Sequence, residues 1–307
     1  MADRPGDASA TGGALDDTPL MRELTRDHAR RRELEKAAFS APETTRIITV
    51  ANQKGGVGKT STTVNLAAAL AMGGLHVLVI DADPQGNAST ALGIAHHAEV
   101  PSMYEVLVDS APIADVVQDV PDMPRLQCAP ATINLSGAEI ELVSLVAREN
   151  RLRNAIRDFL AHRGEEGLPR LDYVLVDCPP SLGLLTVNAL VAAREVLIPI
   201  QAEYYALEGL TLLLNNIDLI RQHLNPDLQV SSILMTMYDA RTRLAAQVAA
   251  EVREHFPEQT LVTTIPRSVR ISEAPSYGQT VLTYDPGSSG ALAYRAAAHE
   301  ITVRPAP

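Results

Sequence analysis

Residues 51–62, ANQKGGVGKTST, place two lysines around three glycines. Glycines at 55, 56 and 58 let backbone N–H groups come close to phosphate oxygens, and a helix beginning just after them adds its positive end. In this reading Lys59 neutralises the terminal phosphates of a nucleoside triphosphate, and the Thr60 hydroxyl ligates Mg²⁺. The stretch departs from the usual G-x-x-x-x-G-K-[ST] at its first position, where Gln53 stands, and a second cation, Lys54, follows. A single phosphate loop has no evident use for both lysines.

A phosphate-bound Mg²⁺ also needs carboxylates within reach of its water shell, and parallel sheets supply them at the C-terminal ends of strands. Two apolar runs end in this way: VLVID delivers Asp81, with Asp83 just beyond, and YVLVD delivers Asp177. Asp177, after its apolar run, reads as the acid that holds Mg²⁺ through water.

These residues need a strand-loop-helix frame, and the chain from Arg46 onward alternates accordingly. RIITVAN is a short β-branched run, TSTTVNLAAALAMGG a helix closed by glycines, and HVLVIDAD a second strand. YVLVDCPP, EVLIPI and VSSILMTM follow as further apolar runs, separated by helical pattern such as residues 207–224. Strands apolar on both faces imply a doubly wound, mostly parallel α/β sheet with helices on both faces. Ahead of it, residues 1–17 are small, polar and glycine-rich, which predicts disorder. Thr18-Pro19 then offers a helix start before a charged run with Arg30, Arg31 and Arg32 that reads as a solvated segment. The expected division is an extension over 1–44, disordered and partly helical, and one domain over 45–303.

Composition narrows the class. An apolar content of 46% with 4% aromatics and no Trp suits an aliphatic sheet-and-helix core. Two cysteines, Cys128 and Cys178, without zinc-type spacing, argue against a disulfide framework and point to the cytosol. No run approaches the roughly 20 apolar residues of a spanning helix, so a soluble protein is expected. The net charge of −11 speaks against wholesale wrapping of nucleic acid. Residues 230–307 are balanced in charge, with arginine as their only strongly basic residue, which permits a local anion-binding face. His96 and His97 are adjacent, cannot converge on one metal, and read as solvated.

The ordered set NQKGGVGKTST, DADPQGNAST, DCPPSLGLLT, EYYALEGL and IPRSVRISEAPSYG resembles the deviant-Walker ATPase family of ParA/Soj and MinD, in its chromosomal ParA (Soj) branch, over residues 45–298. The resemblance implies ATP and Mg²⁺ as cofactors and gives the second lysine a use: Lys54 reaches across an ATP-sandwich homodimer to the partner's phosphates. It implies that Lys54, Lys59 and Asp83 carry catalysis, with Asp83 positioning the attacking water, and that Thr60, Asp81 and Asp177 serve the metal. Lys54, Gly55, Gly56, Val57, Gly58, Lys59, Thr60 and Ser61 would contact the phosphates, and Pro266 and Arg267 would border the base. Arg241 and Arg270 match positions used for sequence-independent binding of double-stranded DNA. The implied partner is a ParB-type centromere-binding protein, and the implied location is cytoplasmic and nucleoid-associated. A MinD-like membrane role is disfavoured because AHEITVRPAP offers no amphipathic anchor, and a switch without turnover is disfavoured by the presence of Asp83. An iron–sulfur cluster is disfavoured by Cys178 following Asp177 directly.

Overall fold

A computed structural model describes residues 37–203 and 206–306; the extension expected over 1–17 and the helix expected from Thr18 lie outside the described residues. The described strands form one eight-stranded sheet in the order β3-β4-β2-β5-β1-β6-β7-β8. Its members are β1 (Arg46–Val50), β2 (Val77–Asp81), β3 (Gln118–Asp119), β4 (Leu126–Ala129), β5 (Tyr173–Asp177), β6 (Glu195–Gln201), β7 (Gln229–Tyr238) and β8 (Thr260–Pro266). All neighbours pair parallel except the short β3–β4 edge. The doubly wound, mostly parallel architecture is therefore as the apolar runs imply. Strands β3, β4 and β8 escaped the sequence reading, β3 and β4 because they are short and β8 because TLVTTIP is rich in threonine rather than continuously apolar.

The longer helices are α1 (Lys59–Met72), α2 (Leu135–Leu142), α3 (Arg151–Glu165), α4 (Leu184–Ala192), α5 (Ala206–His223), α6 (Arg243–His255) and α7 (Ser289–Val303). One sheet face is covered by α1 and α7, the other by α2 to α6. Helix α1 is buried almost throughout, which explains why TTVNLAAALA has no polar stripe: it lies between the sheet and α7.

The compact unit runs Ala38–Pro307, so residues 38–44, assigned above to the extension, pack on the domain. The Phe39 ring lies against Gly73, where a Cβ would meet it at 2.5 Å, and stands edge-on to His299 at 5.6 Å. Arg170 donates to the carbonyls of Pro42 (2.5 Å) and Glu43.

The register brings the chemistry to one end of the sheet. Val50 and Asp81 both pair with Asp177, so the loop after β1 leaves the sheet beside Asp177, with Asp81 one strand further on. This is the C-terminal edge, where open parallel sheets take their ligands.

Candidate nucleotide site

The loop 51–58 is built on backbone anchors. Ala51 N–H donates to Leu197 O (3.1 Å), and the Asn52 amide donates to Pro199 O (2.8 Å) while its oxygen accepts from Lys54 N–H (3.0 Å). From the far side, the Thr236 hydroxyl at the end of β7 donates to Val57 O (2.8 Å). Gly56 and Gly58 have φ of 75° and 88°, a region other residues enter at a cost, and Gly58 turns the chain directly into α1. The next residue beyond Thr236 is Met237, with φ 49°, so the strained backbone at this contact is on the β7 side.

The two lysines face different surroundings. Lys59 is buried, and its ammonium curls back over the loop to donate to Lys54 O (3.3 Å). Burial pushes its pKa down, and the Asp177 charge pulls it back up. Lys54 is half exposed and ion-paired with Glu203, also partly exposed, at the end of β6.

Behind Lys59 lie three buried acids. Asp177 accepts from Thr60 Oγ1 on one oxygen (2.7 Å) and from Thr63 Oγ1 on the other (3.1 Å). Asp81 accepts from Ser89 N–H (2.8 Å), Ser89 Oγ (2.7 Å) and Asp83 N–H (3.2 Å). Asp83 accepts from Gln85 N–H (3.0 Å). Burial raises the pKa of both Asp81 and Asp177, and the Asp81 charge raises Asp177 further. Carboxyls crowded out of water with one ammonium nearby resist ionising, and a hard cation bound beside them would favour their charged forms. A hydroxyl backed by a carboxylate, next to a glycine loop, is a donor set that fits Mg²⁺ on phosphate. Thr60, Asp81 and Asp177 would hold the ion and its waters.

Ser61 enters through its backbone, whose carbonyl accepts from Asn65 (2.7 Å), and Asn65 in turn accepts from Val281 N–H (2.8 Å). Pro266 ends β8 opposite Tyr238, and Arg267 N–H donates to Tyr238 O (3.3 Å), two residues past the Thr236 anchor. Both therefore lie at the same sheet end as the loop. Arg241 and Arg270 follow the adjacent strands β7 and β8, but each already has acidic company. Arg241 makes a two-bond fork with Asp239 (2.9 and 2.8 Å), which holds that carboxyl down at about 2. Arg270 pairs with Glu273 (3.1 Å) and Asp285 (3.4 Å).

One expectation needs correction. His97 is exposed as anticipated, but His96 is half-buried: its ring nitrogens contact Ile94 O (2.8 Å) and Thr90 Oγ1 (3.2 Å). A Cβ on Gly86 would meet its ring at 2.8 Å, so the ring packs on the loop that carries Asp83. Cys178 is fully buried, as a small apolar residue would be. The sequence reading gave no role to Asn52, Thr63, Ser89, Glu203 and Thr236. Ser89 and Glu203 lie inside two of the quoted motifs, whereas Thr236 sits on a separate strand and had no local signal. A cavity of ≈ 520 Å³ between Ile113 and Phe159 touches none of these residues.

The fold and the glycine-lysine loop define a P-loop nucleoside triphosphatase, and residues 45–230 match the family model described as an AAA domain. The chain is 50% identical over 256 residues to the sporulation initiation inhibitor protein Soj of Bacillus subtilis, covering 83% of this chain and 98% of that one. It is 48% identical over 262 residues to the chromosome partitioning protein ParA of Myxococcus xanthus, covering 85% and 89%. Among solved structures, the cobyrinic acid a,c-diamide synthase of Mycobacterium smegmatis with bound ADP and magnesium superposes with a TM-score of 0.69 at 36% identity, covering 83% and 93%. The septum site-determining protein MinD of Pyrococcus horikoshii, complexed with Mg-ADP, shares the fold at a TM-score of 0.65 and 24% identity, over 84% and 96%. The chain belongs to the ParA/Soj family of P-loop ATPases.

Proposed function

We propose that this chain is a chromosome-partitioning ATPase that uses ATP and Mg²⁺, dimerises around the nucleotide, holds DNA of any sequence and is stimulated by a ParB-type partner. The observation that carries this reading is the opposite setting of the two lysines on one loop. Lys59 is buried and aimed at its own loop, as a cis phosphate ligand must be. Lys54 is half exposed and held from outside by a partly exposed acid, as a cation meant for another molecule would be. Two facing triphosphates concentrate negative charge, so a cation supplied in trans makes dimerisation depend on the γ-phosphate.

In hydrolysis, the loop N–H groups from Gly55 to Ser61 and the Lys59 ammonium hold the phosphates in line, with Val57 fixed by Thr236. Mg²⁺, when bound, would supply the positive charge that offsets the phosphates. Thr60, Asp177 and Asp81 orient that ion and its waters. Asp83 orients the attacking water; the water oxygen bonds to the γ-phosphorus as the bond from that phosphorus to the β–γ bridging oxygen breaks, ADP leaves, and the proton lost by the water passes to the phosphate that is released. Pro266 and Arg267 border the base.

For DNA, Arg241 and Arg270 would exchange Asp239, Glu273 and Asp285 for phosphates, and two copies in a dimer double the face. Each phosphate neutralised steepens the log–log salt dependence by about 0.9, so binding should be weak, sequence-independent and strongly salt-sensitive. This reading places the protein in the cytoplasm on the nucleoid. The test measures ATP turnover with and without duplex DNA and a ParB-type protein, alongside retention on DNA. Stimulation by both, and loss of retention in Arg241→Glu/Arg270→Glu with the ATP dimer intact, are expected. Turnover indifferent to DNA and partner would overturn the partitioning role.

A further inference from the structure

Helix α2 carries an exposed apolar residue opposite its buried side, alongside the exposed polar Ser136 and Glu141. Leu135, Ala138 and Leu142 are buried against the sheet, yet Ile140 on the outer side is 79% exposed. Ile133 before the helix and Val143 and Val146 after it are 61%, 59% and 91% exposed, making an uncovered apolar ridge along one segment. A helix of a free-standing domain normally turns polar residues outward, and contiguous apolar exposure marks a contact surface.

The segment is wired to both acid loops. Ala131 N–H donates to Ser89 Oγ (3.2 Å), and that hydroxyl is the one bonded to Asp81. A Cβ on Gly86, beyond Asp83, would lie 3.2 Å from Ala131 O. From the other side, the Glu139 carboxylate presses on Gly183 in the turn between Asp177 and α4, and its Oε1 is buried with no hydrogen-bond partner among the described residues. No side chain larger than hydrogen fits at Gly183 unless Glu139 moves. The ridge therefore stands on the same sheet end as the phosphate loop, and the loops that carry Asp83 and Asp177 bear on its base.

We propose that Ile133, Ile140, Val143 and Val146 form the apolar part of the contact with a second copy of this chain in the ATP dimer. The inference rests on the dimer reading above and deepens it. Stable protein pairs bury about 1,200–2,000 Å² around an apolar centre depleted of charge. The loop face itself offers glycines, lysines and acids, which provide nucleotide dependence but little apolar area. The ridge beside it supplies that area, and two-fold symmetry presents it twice. Because Ser89 and Glu139 link it to the acid loops, a shift of either loop around bound nucleotide re-aims the ridge.

The test compares wild type with Ile140→Glu/Val143→Glu and with Ile140→Leu by sedimentation in Mg²⁺ and a slowly hydrolysed ATP analogue, with nucleotide affinity measured separately. Both positions are exposed, so the variants should fold. Wild type and Ile140→Leu should dimerise, while the double variant should need at least about tenfold more protein to do so, with unchanged nucleotide affinity. A double variant that dimerises like wild type overturns the inference and leaves the dimer reading standing. If that same variant loses only stimulation by the partner protein, the ridge belongs to that partner and the inference fails. Wild type that stays monomeric overturns the dimer reading and the inference together.

Discussion

The two ends of the sheet each hold a buried ionic group, and they are finished in opposite ways. At the N-terminal end of β1, Arg46 forks onto Glu195 (2.7 and 2.6 Å), donates to Ile301 O (2.9 Å) and lies 5.5 Å from the Tyr173 ring centre. Each charge there has its partner inside the protein, and the group ties β1 and β6 to the end of α7. At the C-terminal end, Asp81, Asp83 and Asp177 are buried and none is ion-paired among the described residues, Lys59 lies near Asp177 and Asp83, and burial raises the pKa of Asp81 and Asp177. The first cluster is complete as folded; the second awaits cations and phosphates. Charge that is balanced in place serves stability, and charge left in excess serves binding.

That contrast predicts opposite consequences of mutation. Arg46→Leu should give the largest effect, because it strands Glu195 in the core; loss of one member of a buried pair costs about 3–5 kcal/mol. Denaturant unfolding should report that loss, with ATP affinity of the folded fraction unchanged. Adding Glu195→Leu should recover most of it, and a double variant as unstable as the single one would show that packing on Tyr173, not charge balance, matters at this end.

Lys59→Ala should do the reverse. It removes the buried ammonium from a set of charge-assisted contacts to phosphate, so ATP affinity should fall by about 100-fold or more while unfolding changes little. Titration with a fluorescent ATP analogue checks it. Unchanged affinity would remove the loop from the nucleotide site. Asp177→Asn comes next. It relieves like-charge crowding yet keeps an acceptor for Thr60, so the nucleotide-free protein should gain about 1 kcal/mol in chelator while turnover is lost. A loss of stability instead would mean that Thr60 and Thr63 together need the full carboxylate.

The balance between stability and function also explains what could be read from sequence. The phosphate loop and its acids were legible because their spacing is local: glycines, Lys59 and Thr60 are contiguous, and Asp81 and Asp177 end apolar runs that had to be strands. The parallel sheet followed from the same runs. Thr236 and Glu203 were silent because each acts through one side-chain contact on a residue distant in sequence, and Ser89 because its bonds to nearby Asp81 follow no periodicity. Arg46 and Glu195 were silent for a similar reason: each begins a strand, where a charged residue is ordinarily solvated, and only the β1–β6 neighbourhood and the α7 carbonyl bury them. Strand β8 was hidden by its threonines, and His96 by its neighbour His97, since adjacency ruled out a metal without revealing the packing on Gly86.

The smallest expected effect lies where the unfinished cluster meets the outside. In the single chain Lys54 pairs with Glu203, and both side chains are partly exposed. An exposed pair of this kind is worth about 0–1 kcal/mol, because water already screens the attraction and holding two side chains costs entropy. If Lys54 is to meet a second copy's phosphates, it must first leave Glu203, so that pair opposes dimerisation by its own small free energy. Glu203→Gln removes the charge and keeps the shape. The ATP dimer should then form up to about fivefold more tightly, and the gain should shrink as salt is raised, since screening weakens the pair in the wild type as well. Sedimentation at two ionic strengths reads both effects. A weaker dimer in Glu203→Gln would reverse the assignment: the acid would then aim Lys54 at the second copy instead of holding it back, and the pair would belong with the finished charges at the other end of the sheet.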